Sequence, residues 1–531
     1  MKSLFSVVIL FFISFEGFSQ VQFIERLEIE TKQSEENFMI FPYGSGVLGF
    51  RVQGDRGLVL KRKFQYFLGS SNLQKEELRE VELPDYHDLI AYDFEEEYLY
   101  LLIGRSNIGK ERKIFRINLE NSALDKFDVG NTLQIDLQDF QVLDQRAIMM
   151  GLLESRPVVQ VFDIEEESVF TLQGIYSNDA KIIQLQKQSE FEVFDVVMSR
   201  RDMYKNKLIS VLTFDLDGQK LREVKIDKLD DPKFEILEAV LTEPNAYRQA
   251  MFGPYGLRKR DAFQGIYFAN INEFGEYYNH YYNMEDFPNF YNYLPERARK
   301  RKNRSVERAI EREKSITIPN VLATREVMAI DDGYLIYNDY FSPSSSRYMQ
   351  NRNFYPGSEA YHNQHQRMYP PLGTGMTTGG FGRPVYFQFK YMAAQFMFVD
   401  SQGKLLWENS LPLGNKISES DNKFGQVSFD GQDLYYLYLN KTDLVLSHIR
   451  DGDVIMENEK FEIELLDENE RIRETPEHSL SLMWWYDNYY LLSGTQKIRY
   501  QTESGRESTR HVFFVTKIKV DNTEMRFAEG G

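Results

Sequence analysis

The stretch VFDIEEESVFTLQ, Val161 to Gln173, places an acidic turn between two short segments of alternating apolar residues. Alternation with a period of two is typical of half-buried β-strands, so this stretch predicts a hairpin. Similar hairpins recur along the chain around Phe67, Phe115, Phe162, Phe214, Phe268, Phe398, His448 and Phe514. All but one of the spacings between these markers lie between 47 and 66 residues. The hairpin is therefore one copy of a repeat.

A second pair of strands precedes most copies, as in HDLIAYDFEEEYLYLLIG, His87 to Gly104. Four short strands in about 50 residues are typical of a β-propeller blade. The sequence predicts an all-β fold, an eight-bladed β-propeller, with seven blades as the alternative count because the middle of the chain is irregular. FIERLEIE, Phe23 to Glu30, precedes the first blade, and the last copy ends at Val520 without an outer strand. We therefore predict that the N-terminal strand completes the last blade.

One copy also carries a family resemblance. The hairpin DSQGKLLW, Asp400 to Trp407, resembles the repeat of quinoprotein-type propellers, in which an Asp and a Gly precede a docking Trp. Gly403 and Trp407 keep the family spacing, whereas the spacer between Asp and Gly is one residue short. The resemblance, shared with bacterial secreted propeller repeat proteins, implies a propeller but not quinone binding.

The N-terminus predicts export. Lys2 precedes an apolar run from Leu4 to Phe15, and the small residues Gly17 and Ser19 follow, as in a secretory signal peptide spanning residues 1–19. The chain has no cysteine and no later segment apolar enough for a membrane anchor. We expect a monomeric periplasmic or secreted protein, with the propeller over residues 20–521 and a tail over 522–531.

Two insertions fill the one long spacing. Residues 284–318 include PERARKRKNRSVERAIEREK, where Pro295 predicts the start of a charged helix. Residues 341–384 form a loop rich in Tyr, Gly and Pro, and loops of this length are often functional. The first insertion links blades five and six, and the second joins strands two and three of blade six. In an antiparallel blade both connections lie on the same face.

Charge distinguishes this face from the other. The two insertions and the loop Gly253 to Ala262 together carry a net charge of +8 within a chain of net charge -18. Connections between second and third strands are rich in Lys and Arg, whereas turns on the opposite face, such as Glu165 to Glu167, are acidic. The alternative is that polar loops only keep the protein soluble. Net acidity argues against nucleic acid as a partner.

The leading functional hypothesis is a non-enzymatic binding or scaffold protein that engages an anionic protein or envelope polysaccharide. Arginine can bind carboxylates bidentately, and tyrosine offers contact area at low entropic cost. The predicted binding residues are Arg258, Lys259, Arg260, Arg299, Arg301, Arg304, Tyr348, Arg352, Tyr355 and Arg367.

The alternative hypothesis is an enzyme on acidic sugars, such as a polysaccharide lyase. That chemistry requires an Arg to neutralise the uronate and a Tyr or His to take the adjacent proton. The candidates for these roles are Tyr348, Arg352, His362, His365, Arg367 and His280.

No cofactor or metal motif is convincing. Gly44, Gly46 and Gly49 have dinucleotide-binding spacing but continue as a strand, where the motif requires a helix. GRSNIGKE, Gly104 to Glu111, is one residue from a phosphate-binding loop, because Glu111 replaces the magnesium-binding hydroxyl. His362 and His365 have no helix or cysteine to complete a metal site. We predict no cofactor and no metal.

Overall fold

Eight antiparallel sheets form the blades of a β-propeller ring, which confirms the predicted all-β class and the count of eight. The computed structural model describes residues 21–521 except 33–34, 55–60, 75–76, 202, 204–206, 227–228, 230–232, 245–247, 258–261, 331–332, 344–366, 370–387 and 503–504. Each blade is a meander in which the first strand lies nearest the centre of the ring.

The first half of the ring contains blades 1 to 4, preceded by strand β1, Val21–Glu30. Blade 1 consists of β2 Met39–Tyr43, β3 Gly46–Gly54, β4 Arg62–Gly69 and β5 Arg79–Glu82. Blade 2 consists of β6 Asp88–Glu95, β7 Tyr98–Gly104, β8 Arg112–Asn118 and β9 Leu124–Val129. Blade 3 consists of β10 Asp136–Leu143, β11 Arg146–Leu153, β12 Arg156–Asp163 and β13 Ser168–Thr171. Blade 4 consists of β14 Ala180–Gln188, β15 Val193–Arg201, β16 Lys207–Asp215 and β17 Lys220–Ile226.

The second half contains blades 5 to 8 and the helix α1, Glu296–Ile310. Blade 5 consists of β18 Phe234–Ile236, β19 Val240–Leu241, β20 Gln249–Leu257, β21 Ala262–Ile271, β22 Tyr277–Asn283 and the short β23 Ile318–Pro319. Blade 6 consists of β24 Val321–Ile330, β25 Gly333–Pro343, β26 Phe389–Asp400 and β27 Leu405–Ser418. Blade 7 consists of β28 Gln426–Phe429, β29 Asp433–Asn440, β30 Asp443–Arg450 and β31 Asp453–Phe461. Blade 8 consists of β32 Arg471–Glu474, β33 Ser481–Tyr486, β34 Tyr489–Gln501 and β35 Glu507–Val520.

The N-terminal strand closes the ring. β1 pairs antiparallel with β35 from Val21 opposite Val520 to Glu30 opposite Val512. It is therefore the outermost strand of blade 8, as the sequence predicts. This pairing joins the two ends of the described chain, so the last blade depends on both of them.

The core lies between the blades. Each buried cluster combines residues of neighbouring sheets, because a blade has two apolar faces that it cannot bury alone. The cluster that joins blade 8 to blade 1 packs Phe38 and Phe67 against Trp485 and Phe513. The apolar residues that alternate along the strands thus pack between blades and stabilise the ring.

Polar side chains of innermost strands also link neighbouring blades. The amide of Gln184 donates to the carbonyl of Leu241 and accepts from its N–H, both at 2.9 Å. Equivalent bonds join Asp93 to Val142 N, Gln141 to Leu185 O, Glu238 to Thr324 N and Gln426 to Leu482 O. These bonds pair backbone N–H and C=O groups of the innermost strands, which have no further strand beside them towards the centre of the ring.

Both insertions leave the ring on one face. Val321, which follows the first insertion, pairs with Phe341, at which the second begins. The register therefore confirms the placement predicted from strand order. We call this side the insertion face, defined by Val321 and Phe341, and the opposite side the turn face.

The hairpin at Asp400 docks onto neighbouring blades. Gly403 has φ +83° and approaches the ring of Phe268 in blade 5, and a Cβ there would lie 2.6 Å from that ring. Trp407 packs against Phe429 of blade 7, with ring centroids 5.9 Å apart. Gly44–Gly49 lies across the hairpin of β2 and β3, and Gly104–Glu111 joins β7 to β8. Neither nucleotide-like motif is followed by a helix.

Candidate functional site

The helix α1 stands on a base that is firmly packed between blades 5 and 6. Asn283 and Asp286 cap each other in a capping box, and Phe290 packs between Phe263 and Tyr340, with centroid distances of 6.0 and 5.5 Å. The backbone N–H of Asn289 donates to Glu408 Oε1 at 2.5 Å. Aromatic residues of the insertion therefore fix the position from which the helix projects.

One side of α1 faces this base, and it has few apolar residues. Val306 and Ala309 are half-buried, and the described helix contains no fully buried residue. Arg299 also lies on this side, where its guanidinium donates to Asn292 Oδ1 at 3.2 Å. The helix begins after Pro295, whose carbonyl accepts from the N–H groups of Ala298 and Arg299. Pro295 therefore marks the helix start that the sequence predicts.

The exposed side of α1 carries a row of cations. We call these residues the cationic stripe: Arg297, Lys300, Arg301, Arg304 and Arg308. Their spacing of three and four residues places them on one side of an α-helix. Lys300 pairs with Glu296 at 2.5 Å, whereas the four arginines have no ion pair with any described residue. The stripe thus presents four uncompensated guanidinium groups to solvent.

Like-charge pairs within the stripe oppose helix formation. Arg297 and Arg301, Lys300 and Arg304, and Arg304 and Arg308 are like-charge pairs at i, i+4. Each such pair destabilises a helix by about 0.2–0.5 kcal/mol. The helix buries little apolar surface that could offset this cost. A bound anion would relieve the repulsion.

Other arginines of the insertion face are already engaged within the protein. Arg201 lies 3.5 Å from Glu235, and Arg499 lies 3.3 Å from Glu507. Arg112 is buried and donates to the carbonyls of Asn107 and Ile135. Arg156 donates to Tyr176 Oη, and Arg200 donates to the carbonyl of Gly174. These five arginines are therefore engaged by groups of the protein, in contrast to the four arginines of the stripe.

A tyrosine-lined cavity of about 400 Å³ lies between α1 and its base. Tyr291, Tyr293 and Tyr340 line it from the base, and Lys302 and Ser305 line it from the helix. Burial raises the pKa of Tyr291 to about 12, so its phenol is neutral at physiological pH. Tyr340 Oη donates to the carbonyl of Pro319 at 2.9 Å. The cavity offers aromatic rings and hydroxyls beside Lys302.

The predicted binding residues that the structure describes separate into three groups. Arg301 and Arg304 lie in the stripe, Arg299 faces the base, and Arg367 lies near the centre of the ring. The remaining predictions fall outside the described residues: Arg258, Lys259, Arg260, Tyr348, Arg352 and Tyr355. The structure therefore brings together only Arg301 and Arg304 of the described candidates.

Three members of the stripe were missed by the sequence analysis. Arg297, Lys300 and Arg308 belong to the same charged segment as Arg301 and Arg304. Projecting that segment onto a helix with 3.6 residues per turn separates them from Arg299. The helical spacing of the cations was the signal that could have found them.

The candidates for lyase chemistry do not converge in the described part of the chain. His280 is exposed on β22, the outer strand of blade 5, whereas Arg367 contacts the innermost strand of blade 2. Tyr348, Arg352, His362 and His365 lie outside the described residues. Within the described ranges, no three His, Cys, Asp or Glu side chains are grouped as metal ligands, and no helix is suited to crossing a membrane.

Comparisons with known proteins bear on the fold alone. No protein-family model matches the chain, and no curated protein matches it in sequence. Solved structures that are similar include a quinohemoprotein alcohol dehydrogenase from Pseudomonas putida HK5, with 8% identity, a TM-score of 0.39 and coverage of 94% of this chain and 76% of that one. The polysaccharide lyase Uly1 has 7% identity, a TM-score of 0.35 and coverage of 81% and 90%. The β-propeller domain of the Trilobed protease from Pyrococcus furiosus has 9% identity, a TM-score of 0.33 and coverage of 80% and 98%.

The fold and the site together define the class of this protein. It is an eight-bladed β-propeller that carries a cationic helix on one face.

Proposed function

We propose that this protein is an exported, non-enzymatic binding protein that holds a linear acidic polysaccharide along the cationic stripe of α1. The observation that carries the proposal is the row of four arginines without ion-pair partners among the described residues. Arg297 and Arg308 are eleven positions apart, and a rise of about 1.5 Å per residue places them about 16 Å apart along the helix. Such a row matches repeating charges on an extended polymer.

The stripe suits a charged polymer better than a folded protein. Protein interfaces are usually centred on apolar or aromatic anchors that lose contact with water. The stripe itself contains no apolar or aromatic residue and offers no such centre. Guanidinium groups bind carboxylates and sulfates through paired hydrogen bonds. Acidic polysaccharides carry one of these two groups at regular intervals along the chain. The tyrosine-lined cavity on the base side of α1 supplies rings against which a sugar can pack.

Export supports the choice of polysaccharide over nucleic acid. The apolar run after Lys2 has the composition of a signal peptide, and the net charge of -18 opposes general affinity for nucleic acid. We place the protein in the periplasm or outside the cell, where acidic polysaccharides occur and nucleic acid is scarce. The proposal requires no cofactor and no catalytic step.

Binding of polygalacturonate to an α1 variant tests the proposal. Arg297, Arg301, Arg304 and Arg308 are replaced together by Gln, and affinity is measured by calorimetry in low salt. A cation near an anionic surface contributes about 1 kcal/mol, so we expect the affinity to fall roughly 100-fold or more. Neutral dextran should not bind either protein.

A matched control separates the helix from net charge. Replacing the exposed Lys126, Lys220, Lys404 and Lys460 by Gln removes the same total charge from other blades. This control should keep wild-type affinity within a few-fold. Equal losses in the two variants would contradict a site on α1, and preferential binding of single-stranded DNA over polygalacturonate would contradict the polysaccharide as ligand.

A further inference from the structure

Part of the second insertion lies inside the ring, far from its root in blade 6. Residues 367–369 run antiparallel to β6, the innermost strand of blade 2, with Met368 opposite Ala91. The N–H of Tyr92 donates to the carbonyl of Arg367 at 3.0 Å, and the N–H of Tyr369 donates to the carbonyl of Ile90 at 2.8 Å. The segment thus adds one short strand to the inner edge of blade 2.

The tyrosine of this segment is buried between blades 1 and 2. Tyr369 is 8% exposed, and its ring centroid lies 6.3 Å from that of Phe50. Its hydroxyl accepts from the backbone N–H of Val52 at 3.1 Å. Met368 packs on the neighbouring cluster between blades 2 and 3. Two successive side chains therefore enter two different blade interfaces.

The arginine of the segment meets two buried carboxylates. The backbone N–H of Arg367 donates to Asp139 Oδ1 at 2.9 Å, and Arg367 Nε lies 3.5 Å from Asp93 Oδ1. Asp93 Oδ2 also accepts from Lys187 Nζ at 2.6 Å. Asp93 and Asp139 belong to the innermost strands of blades 2 and 3. Buried carboxylates are costly unless they are paired, so they favour a cation at this point.

The lengths of the connections permit this placement. Blade 6 lies opposite blade 2 in a ring of eight, and 23 residues separate Pro343 from Arg367. An extended chain spans about 3.3 Å per residue, so this connection is long enough to cross the ring. No covalent constraint would then hold Arg367–Tyr369 at blade 2. Its position depends on the contacts described above.

We propose that the cleft between the inner edges of blades 1, 2 and 3 is a strand-binding site for an extended peptide with Arg in its first and Tyr in its third position. The chain's own Arg367–Tyr369 occupies this site, and we call this docked segment the latch. Backbone pairing to β6 supplies the affinity, as in β-strand addition. Asp93, Asp139 and the pocket for Tyr369 supply the specificity.

Tryptic cleavage of the Arg367–Met368 bond tests whether the latch is docked. The reference is the synthetic peptide QHQRMYPP, which has the sequence of residues 364–371. We expect cleavage at this bond to be at least about 100-fold slower in the native protein than in the peptide, because a protease must wait for local opening. Tyr369→Ala should accelerate it at least about tenfold. Cleavage of wild-type protein at the peptide's rate would overturn the latch.

A second measurement tests the site itself and does not depend on proteolysis. Hydrogen exchange of the Tyr92 and Val52 amides, which donate to the segment, should be faster in Tyr369→Ala than in wild-type protein, while amides of blade 7 stay unchanged. Millimolar QHQRMYPP should slow these two amides again in the variant, since a tethered segment has an effective concentration in that range. A scrambled peptide should not slow the exchange of these amides. Failure of the matching peptide to restore protection would overturn the strand-binding site.

Discussion

Arg325→Ala is expected to lower the free energy of unfolding by about 3–5 kcal/mol, because it leaves a buried carboxylate without its cation. Arg325 and Asp339 are both fully buried in blade 6, with Arg325 Nε donating to Asp339 Oδ2 at 2.8 Å. Asp339 also accepts from Tyr337 Oη and from the N–H of Phe424. These bonds join blade 6 to the start of blade 7. Urea unfolding followed by tryptophan fluorescence measures the loss.

An exposed pair supplies the control for this loss. Arg105 and Glu111 lie 3.5 Å apart with side chains 64% and 73% exposed, and such pairs contribute about 0–1 kcal/mol. Arg105→Ala should therefore change stability by less than about 1 kcal/mol. The double variant Arg325→Ala/Asp339→Ala should lose less than the two single variants combined. If Arg325→Ala lowered the free energy of unfolding as little as Arg105→Ala does, the Arg325–Asp339 pair would not hold blade 6 to blade 7.

Glu238→Gln is expected to remove much of the decline in stability between pH 5 and pH 8. Glu238 is fully buried, and burial raises its pKa to about 8. Oε2 accepts from the N–H of Thr324, whereas Oε1 has no hydrogen-bond partner among the described residues. The carboxyl is neutral in the folded state at pH 6 but ionised in the unfolded chain. The contribution of Glu238 to the free energy of unfolding is therefore largest at low pH and declines as the pH rises towards 8.

The size of this effect follows from the raised pKa. Each pKa unit corresponds to about 1.4 kcal/mol, so the contribution of Glu238 should change by about 4 kcal/mol across this range. Gln cannot ionise and should flatten the profile by that amount, whatever its effect at pH 5. Glu166→Gln, in an exposed turn of blade 3, serves as the control and should keep the wild-type slope. Identical slopes in wild type and Glu238→Gln would contradict a neutral, buried Glu238.

The ring was predictable because its determinants are local. Alternating apolar residues in strands such as Asp88–Glu95 repeat at regular spacing, and the strand that lacked a partner at Val520 indicated closure by the N-terminus. Strand parity placed both insertions on one face, which the pairing of Val321 with Phe341 confirms. Pro295 marked the helix start correctly.

The position of Arg367 could not be predicted, because its partners belong to other blades. Asp93 and Asp139 are more than 200 residues away in sequence, and nothing in the segment around Arg367 indicates that it enters the ring. Arg299 is a different case, because its helical phase can be read from the sequence and directs it towards Asn292. Composition identified the cationic segment, and helical phase separates Arg299 from the exposed cations of the stripe.

The salt dependence of polygalacturonate binding tests the central claim most directly. Each cation that displaces a counterion lowers the slope of log affinity against log salt by about 0.7–0.9 on nucleic acids, so a stripe of five cations predicts a slope between about -3.5 and -4.5. The variant with Gln at positions 297, 301, 304 and 308 keeps only Lys300 of the stripe and should have a slope of about -1, and the four-lysine control should keep the wild-type value. A wild-type slope that is unchanged by the four substitutions in α1 would contradict the assignment of binding to the cationic stripe.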